Sequence, residues 1–167
     1  IDLLDACLAI APTRRFTLQL VGEGNASATA EEFIARHGLG DRMRLHGWLG
    51  RAEVHQALAA ADVLVLPSWA EGLPNAMIEA MAARLAIVVS AVGNIPDVVA
   101  DGREALLVPP RDPVALASAL ARIIDDGVLR QSIADAAFAK AESAFGVERA
   151  ATTLEATIRE TVGLQSR

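Results

Sequence analysis

Short, continuous apolar runs that alternate with helical segments constrain the fold of this chain most strongly. Five runs occur in order, at residues 16–21, 43–45, 63–66, 86–89 and 105–108. Strands that are apolar throughout, rather than at alternate positions, are typical of a parallel sheet covered by helices on both faces. The pattern therefore predicts an α/β fold built on a doubly wound parallel sheet.

The segments between these runs carry helical spacing or helix start and stop signals. Predicted helices span residues 30–37, 52–61, 75–84, 95–100, 113–126, 128–144 and 147–162. The chain also opens on apolar residues at helical spacing, from Leu3 to Ile10, and has no initiator methionine. We therefore expect residues 1–167 to form a single domain that is a fragment of a longer protein.

Composition argues against several classes of function. The net charge is −6 and the pI is about 5.0, which argues against a nucleic-acid partner because such proteins carry basic patches. Cys7 is the single cysteine, so neither an intramolecular disulfide nor a cysteine-based zinc site is expected. No run of 18 apolar residues and no signal peptide is visible in the sequence. We expect a cytoplasmic protein, either free or peripheral to the inner face of a membrane.

The loops that follow the predicted strands are the candidate ligand sites, since open parallel sheets bind ligands at the carboxyl ends of their strands. The loop PSWAEGLPN places Ser68 and Glu71 after one strand and then begins a helix. The free N–H groups of Asn75, Ala76 and Met77 in that helix are predicted to bind an anion such as a phosphate. The turn VGEGN, which contains Gly22, is either a second ligand-binding turn or an ordinary tight turn.

Glu79 is the one charged residue in the apolar stretch 76–83. A helix that is apolar on all sides is normally buried, and a buried carboxylate needs a partner. We therefore expect Glu79 to be buried and to accept hydrogen bonds from paired hydroxyls such as those of a ribose. The alternative is that Glu79 only stabilises the positive end of its helix.

The histidines give weaker signals. His37 and His55 are predicted to lie on the surface, and His46 follows a strand on the ligand side, where its backbone is the candidate contact. Their spacing does not suggest a metal site, and no catalytic serine or cysteine triad can be argued.

Residues 67–120 carry a specific family resemblance. Glu71 and Glu79 are separated by seven residues, and the pattern extends upstream through LVGEG and RLHGWLGRAEVHQALAAADVLVLPS. The chain resembles the C-terminal, nucleotide-sugar-binding domain of the retaining glycosyltransferases of family 4, which have the GT-B fold. The resemblance implies a Rossmann-like domain and an active site in the cleft between this domain and an N-terminal acceptor domain.

The resemblance also implies roles for individual residues. Glu71 would be catalytic and would contact the hydroxyls of the donor sugar, while Glu79 would bind the ribose. The remaining implied contacts are Gly72, Leu73, Pro74, Asn75 and Ala76 with the sugar and diphosphate, and Gly22, Leu45, His46, Gly47 and Ser68 with the nucleotide. No cofactor and no metal is expected.

The chain departs from the family pattern at three places and lacks part of it. Arg84 stands where the family usually has glycine, Ala86 where it has proline, and Glu104-Ala105 where it often has Asn-Gly. The family's first strand and its acceptor domain would precede residue 1, and its C-terminal helix, predicted here at 147–162, would cross back to that domain. That first strand is central in the doubly wound order, so its absence would expose strand edges in mid-sheet. We therefore expect these 167 residues alone to be weakly stable or aggregation-prone, and inactive.

The function predicted from the sequence is transfer of a sugar from a nucleotide-diphosphate sugar to a glycan or lipid-linked acceptor in polysaccharide biosynthesis. The family resemblance implies that the anomeric configuration of the sugar is retained, and it favours UDP-sugars over GDP-sugars. The alternative is a noncatalytic sugar-nucleotide-binding module of the same fold. Another enzyme of this fold, such as an epimerase or a phosphorylase, is also an option. A phosphorylase would be expected to carry a lysine that holds its cofactor, whereas Lys140, the only lysine, lies far from the candidate loops in sequence.

Overall fold

The computed structural model describes residues 1–145 as an α/β fold. The elements in chain order are α1 (Asp2–Ile10), β1 (Leu18–Val21), α2 (Ser27–Arg36), β2 (Met43–Gly47), α3 (Arg51–Ala59), β3 (Val63–Leu66), α4 (Asn75–Ala82), β4 (Ala86–Ser90), α5 (Ile95–Val98), β5 (Leu106–Val108), α6 (Pro113–Asp125) and α7 (Gly127–Phe145). The predicted helix at 147–162 lies outside the described residues. The predicted order of strands and helices is confirmed, with boundaries that differ by up to three residues.

The strands form two parallel sheets. β1 pairs with β2, with Leu18 opposite Met43. β4 lies between β3 and β5, with Val63 opposite Ala86 and Val88 opposite Leu106. The parallel α/β class is confirmed, although the five strands do not form one continuous ladder within the described residues.

A gap separates the two sheets. β1 and β3 are not hydrogen-bonded to each other, and both line a cavity of about 700 Å³. All residues of β4 are buried, whereas β3 is half-buried and β1 alternates between half-buried and exposed residues. The prediction of fully buried strands is therefore correct for β4, which has a strand on each side, and wrong for β1 and β3.

The core consists of two apolar clusters on opposite faces of β4. Ala86 and Val88 belong to a cluster that includes α1, α6 and side chains of both sheets. Ile87 and Val89 belong to a cluster with α4, α5 and α7. Because successive side chains of a strand point to opposite faces, this division shows that helices cover both faces of β4, as the apolar run 86–89 predicts.

Helix α6 shows how local sequence sets one boundary. Pro113 is its first residue, a position that needs no backbone N–H, and the Asp112 side chain accepts a 2.8 Å hydrogen bond from the Ala115 N–H. The far end of α6 is tied to the segment after α1, because Arg14 donates to Asp125. That hydrogen bond raises the pKa of Arg14 above its ordinary value. α6 is thus capped at its start and tied at its end to the segment after α1.

Candidate functional site

The loop between β3 and α4 forms the centre of the candidate site. It follows the carboxyl end of β3, where the Ser68 hydroxyl donates a 2.9 Å hydrogen bond to Oε1 of Glu71. Glu71 is exposed, and within residues 1–145 no hydrogen bond to its Oε2 is found. The structure therefore holds the Glu71 carboxylate from one side and leaves an oxygen available to a ligand.

The start of α4 offers free backbone donors. Pro74 is the N-cap residue and supplies no side-chain cap, so the first N–H groups depend on other partners. Across the described part of the chain, no hydrogen bond from the N–H groups of Asn75 and Ala76 is found. The prediction that the Met77 N–H is also free is wrong, because it donates to the Pro74 carbonyl at 3.0 Å.

Two further free donors precede the helix. In residues 1–145, the N–H groups of Gly72 and Leu73 make no hydrogen bond, and the Gly72 carbonyl accepts one from the Asn94 N–H at 3.1 Å. Free N–H groups of successive residues beside a helix N-terminus form the usual binding site for a phosphate or another anion. Among the described residues, the loop and the helix start thus offer four free N–H groups within five successive residues, at Gly72, Leu73, Asn75 and Ala76.

Glu79 is exposed rather than buried, which corrects the prediction from the apolar stretch. The buried face of α4 consists of Met77, Ala80 and Met81. Glu79 instead lines the cavity between the sheets together with Ala76, one turn earlier on the same helix face. The stretch appeared apolar on all sides because alanines occupy its exposed positions.

Among residues 1–145 the buried carboxylate is that of Glu104, which in the sequence stands out only as a departure from the family pattern. Glu104 is 5% exposed. It accepts a 2.9 Å hydrogen bond from the Ala100 N–H and a 2.6 Å hydrogen bond from Nε of Arg103. Glu104 therefore closes the segment that follows α5, a structural role that residue type alone did not reveal.

The candidate nucleotide residues of the first sheet also meet. The Gly22 N–H donates a 2.8 Å hydrogen bond to the Gly47 carbonyl, which joins the carboxyl ends of β1 and β2. Both glycines have positive φ, which favours glycine at these turns. Leu45 and His46 lie in β2 and are half-buried, and Nε2 of His46 is buried without a partner in the described residues. His37 and His55 are exposed, as predicted.

Sequence reasoning missed the contacts of Trp69, in the same loop as Ser68. Its ring is 58% exposed, and its Nε1–H donates a 2.7 Å hydrogen bond to Asp2 at the start of α1. The guanidinium of Arg111 lies 4.6 Å from the centre of the ring. These contacts join residues distant in sequence, so no local pattern could have predicted them.

The described residues contain neither a cluster suited to a metal ion nor a helix suited to crossing a membrane. Within residues 1–145, no three His, Cys, Asp or Glu side chains cluster in a way that could hold a metal ion. None of the helices described there is both long and apolar enough to cross a membrane.

Comparison with known families identifies the class. Residues 2–126 match the family described as Glycosyl transferases group 1. This chain therefore belongs to the group 1 glycosyl transferases, and its fold is that of a GT-B glycosyltransferase domain.

Curated relatives carry several transferase names. The D-inositol 3-phosphate glycosyltransferase of Streptomyces griseus is 36% identical over 143 residues, which cover 83% of this chain and 30% of that protein. The 2-deoxystreptamine glucosyltransferase of Streptomyces kanamyceticus is 35% identical over 113 residues, or 68% of this chain and 29% of that protein. The chain therefore spans about three tenths of the length of these relatives.

Solved structures agree with the fold. Sucrose-phosphate synthase from Thermosynechococcus elongatus superposes with a TM-score of 0.81 at 27% identity, covering 98% of this chain and 43% of that one. HepE from Anabaena, solved in complex with UDP-glucose, gives a TM-score of 0.80 at 26% identity, covering 98% and 44%.

Proposed function

We propose that this chain is the donor-binding domain of a retaining glycosyltransferase that uses a nucleotide-diphosphate sugar. The observation that carries the proposal is the set of free N–H groups at Gly72, Leu73, Asn75 and Ala76, directly after the Glu71 carboxylate. Donors in this arrangement suit a diphosphate. The HepE complex with UDP-glucose supports a sugar nucleotide as the ligand.

The chemistry follows from where charge develops. When the sugar leaves the nucleotide, negative charge grows on the diphosphate, and fixed N–H dipoles stabilise such charge without reorganising. The positive end of the α4 dipole adds to this effect. In this proposal the free Oε2 of Glu71 accepts hydrogen bonds from the donor sugar, while Ser68 fixes the rotamer of the carboxylate.

Glu79 is proposed to bind the ribose of the nucleotide. Its carboxylate is exposed on the cavity side of α4, where it is accessible to a ligand. The joined ends of β1 and β2 at Gly22 and Gly47 are proposed to contact the base. UDP is favoured over GDP because HepE was solved with UDP and with UDP-glucose.

The remaining parts of the proposal concern the whole protein. The acceptor would be a glycan or a lipid-linked sugar bound by an N-terminal domain, and the product would enter polysaccharide biosynthesis in the cytoplasm or at the inner membrane face. The reaction would need no metal and no cofactor. These 167 residues alone would be inactive.

Calorimetric titration of the full-length protein with UDP-glucose and with GDP-mannose tests the proposal. We expect binding of a UDP-sugar and a loss of about tenfold, or 1.4 kcal/mol, in Glu79→Gln. Glu53→Gln is the matched control, because Glu53 caps α3 and lies outside the candidate loops. Equal binding by Glu79→Gln and wild type would refute the ribose role. Transfer of the donor sugar to an acceptor distinguishes an enzyme from a binding module. The anomeric configuration of the product tests whether the reaction retains the configuration of the donor.

A further inference from the structure

Gly93, in the loop between β4 and α5, makes an unusually close approach to the candidate site. Its φ is +55°, and a Cβ at this position would lie 1.9 Å from the Glu71 carbonyl oxygen and 2.9 Å from that of Gly72. Both atoms belong to backbone, which cannot rotate away as a side chain can. Real Cβ atoms essentially never come within 3.0 Å of such an atom, so any side chain at Gly93 would have to displace the loop by about 1 Å.

A hydrogen bond fixes the same contact. The Asn94 N–H donates to the Gly72 carbonyl at 3.1 Å, so two successive carbonyls of the site loop face the segment Gly93-Asn94. In a trans peptide the N–H points opposite to the C=O. The N–H groups of Gly72 and Leu73 must therefore point away from Gly93, towards the side where they are free to meet a ligand.

We propose that Gly93 is a positioning residue that sets the direction of the Gly72 and Leu73 N–H groups for the donor diphosphate. The inference rests on the proposed function and extends it to a residue that touches no substrate. Gly93 acts by its missing side chain, which allows the β4–α5 loop to press against the site loop. Asn94 acts by its backbone N–H, which holds the carbonyl of Gly72.

The chain offers a matched control for the substitution Gly93→Ala. Gly102 also has a positive φ, +72°, but a Cβ there would meet nothing within 4 Å. Gly102→Ala therefore introduces similar backbone strain without a collision. The difference between the two variants isolates the contact with Glu71 and Gly72.

The test uses the full-length protein with wild type and both variants. UDP-glucose affinity is measured by calorimetry, and hydrogen–deuterium exchange is measured over segments 70–74 and 92–95. We expect Gly102→Ala to match wild type in both measurements. We expect Gly93→Ala to bind UDP-glucose about tenfold more weakly, the equivalent of one lost hydrogen bond, and to exchange the Asn94 amide faster. Equal affinity and equal exchange in the two variants would overturn the proposal.

Two other outcomes are also decisive. If wild type binds neither UDP-glucose nor GDP-mannose, the donor-binding function fails, and with it the role of Gly93 in donor binding, while the exchange data still report whether Gly93 holds the loop. If Gly93→Ala does not fold, hydrogen–deuterium exchange of the wild-type protein tests the proposal instead. A protected Asn94 amide, with Gly72 and Leu73 amides that slow only when UDP-glucose is added, supports the proposal. An Asn94 amide that exchanges as fast as a free amide overturns it.

Discussion

Removing the buried carboxylate of Glu104 is expected to destabilise the domain by about 2–3 kcal/mol. Glu104→Ala deletes the acceptor of two hydrogen bonds, from the Ala100 N–H and from Nε of Arg103. Hydrogen bonds to a charged group contribute about 1.5–3 kcal/mol each when they are buried. The Arg103 side chain is 69% exposed, so its ion pair contributes only about 0–1 kcal/mol. Most of the loss therefore comes from the bond to Ala100.

Glu104→Gln separates the two contributions. The amide oxygen still accepts from the Ala100 N–H, while the charge that pairs with Arg103 is gone, so the expected loss is about 1 kcal/mol. The assay is urea-induced unfolding of wild type and both variants, with the m-values compared to confirm that the same transition is observed. Glutamine as damaging as alanine, or an alanine variant as stable as wild type, would refute the reasoning.

The remaining predictions concern Arg84, Cys7, Ser68 and the open edges of β1 and β3. Arg84 has a φ of +60° and pairs with Asp135 and with the ring of Phe138, so Arg84→Ala is expected to lose about 1 kcal/mol in urea unfolding. Arg84→Gly should lose less because glycine relieves the strained backbone, and a glycine variant less stable than the alanine variant would contradict this. Burial raises the pKa of Cys7 to about 12 from an ordinary value of 9.0. The Cys7 thiol therefore ionises at a lower pH in the unfolded chain than in the folded protein, and the free energy of unfolding should fall as pH rises from 9 towards 12. Urea midpoints at about pH 8 and about pH 10 should differ less in Cys7→Ala than in wild type, and an equal difference would contradict the assignment. Ser68→Ala should weaken UDP-glucose affinity about fivefold, or 1 kcal/mol, in calorimetry, because the Glu71 carboxylate loses the hydrogen bond from the Ser68 hydroxyl. Unchanged affinity would count against this role of Ser68. If the family's first strand precedes residue 1, a chain extended to include it should have a higher Tm than residues 1–167, because that strand would pair with the open edges of β1 and β3. No gain in Tm would refute this.

The succession of strands and helices along the chain and the loop that carries the site could be predicted from the sequence, because both depend on local signals. Continuous apolar runs such as 86–89 require burial on both faces, and the step from Pro74 to Asn75 marks a helix start. The division into two sheets does not follow from local signals, but it agrees with the family resemblance, because the family's first strand is central in a doubly wound sheet and its absence would expose strand edges in mid-sheet.

Burial of single carboxylates was the least predictable feature. The apolar neighbours of Glu79 suggested burial, yet alanine, whose side chain is a single methyl group, occupies both the buried and the exposed positions of this helix. Only the packing of Met77 and Met81 shows which side is inside. Glu104 is the opposite case, because this carboxylate is buried although its neighbours in sequence are polar. Its polar neighbours suggest a surface turn, while its hydrogen bond to the Ala100 N–H draws the carboxylate inward.

The position of the diphosphate in a complex tests the central claim most directly. The measurement is a crystal structure of the full-length protein soaked with a UDP-sugar. The account predicts diphosphate oxygens about 2.7–3.2 Å from the N–H groups of Gly72, Leu73, Asn75 or Ala76, with the sugar hydroxyls at Glu71. A sugar nucleotide bound with its diphosphate away from these groups would contradict it.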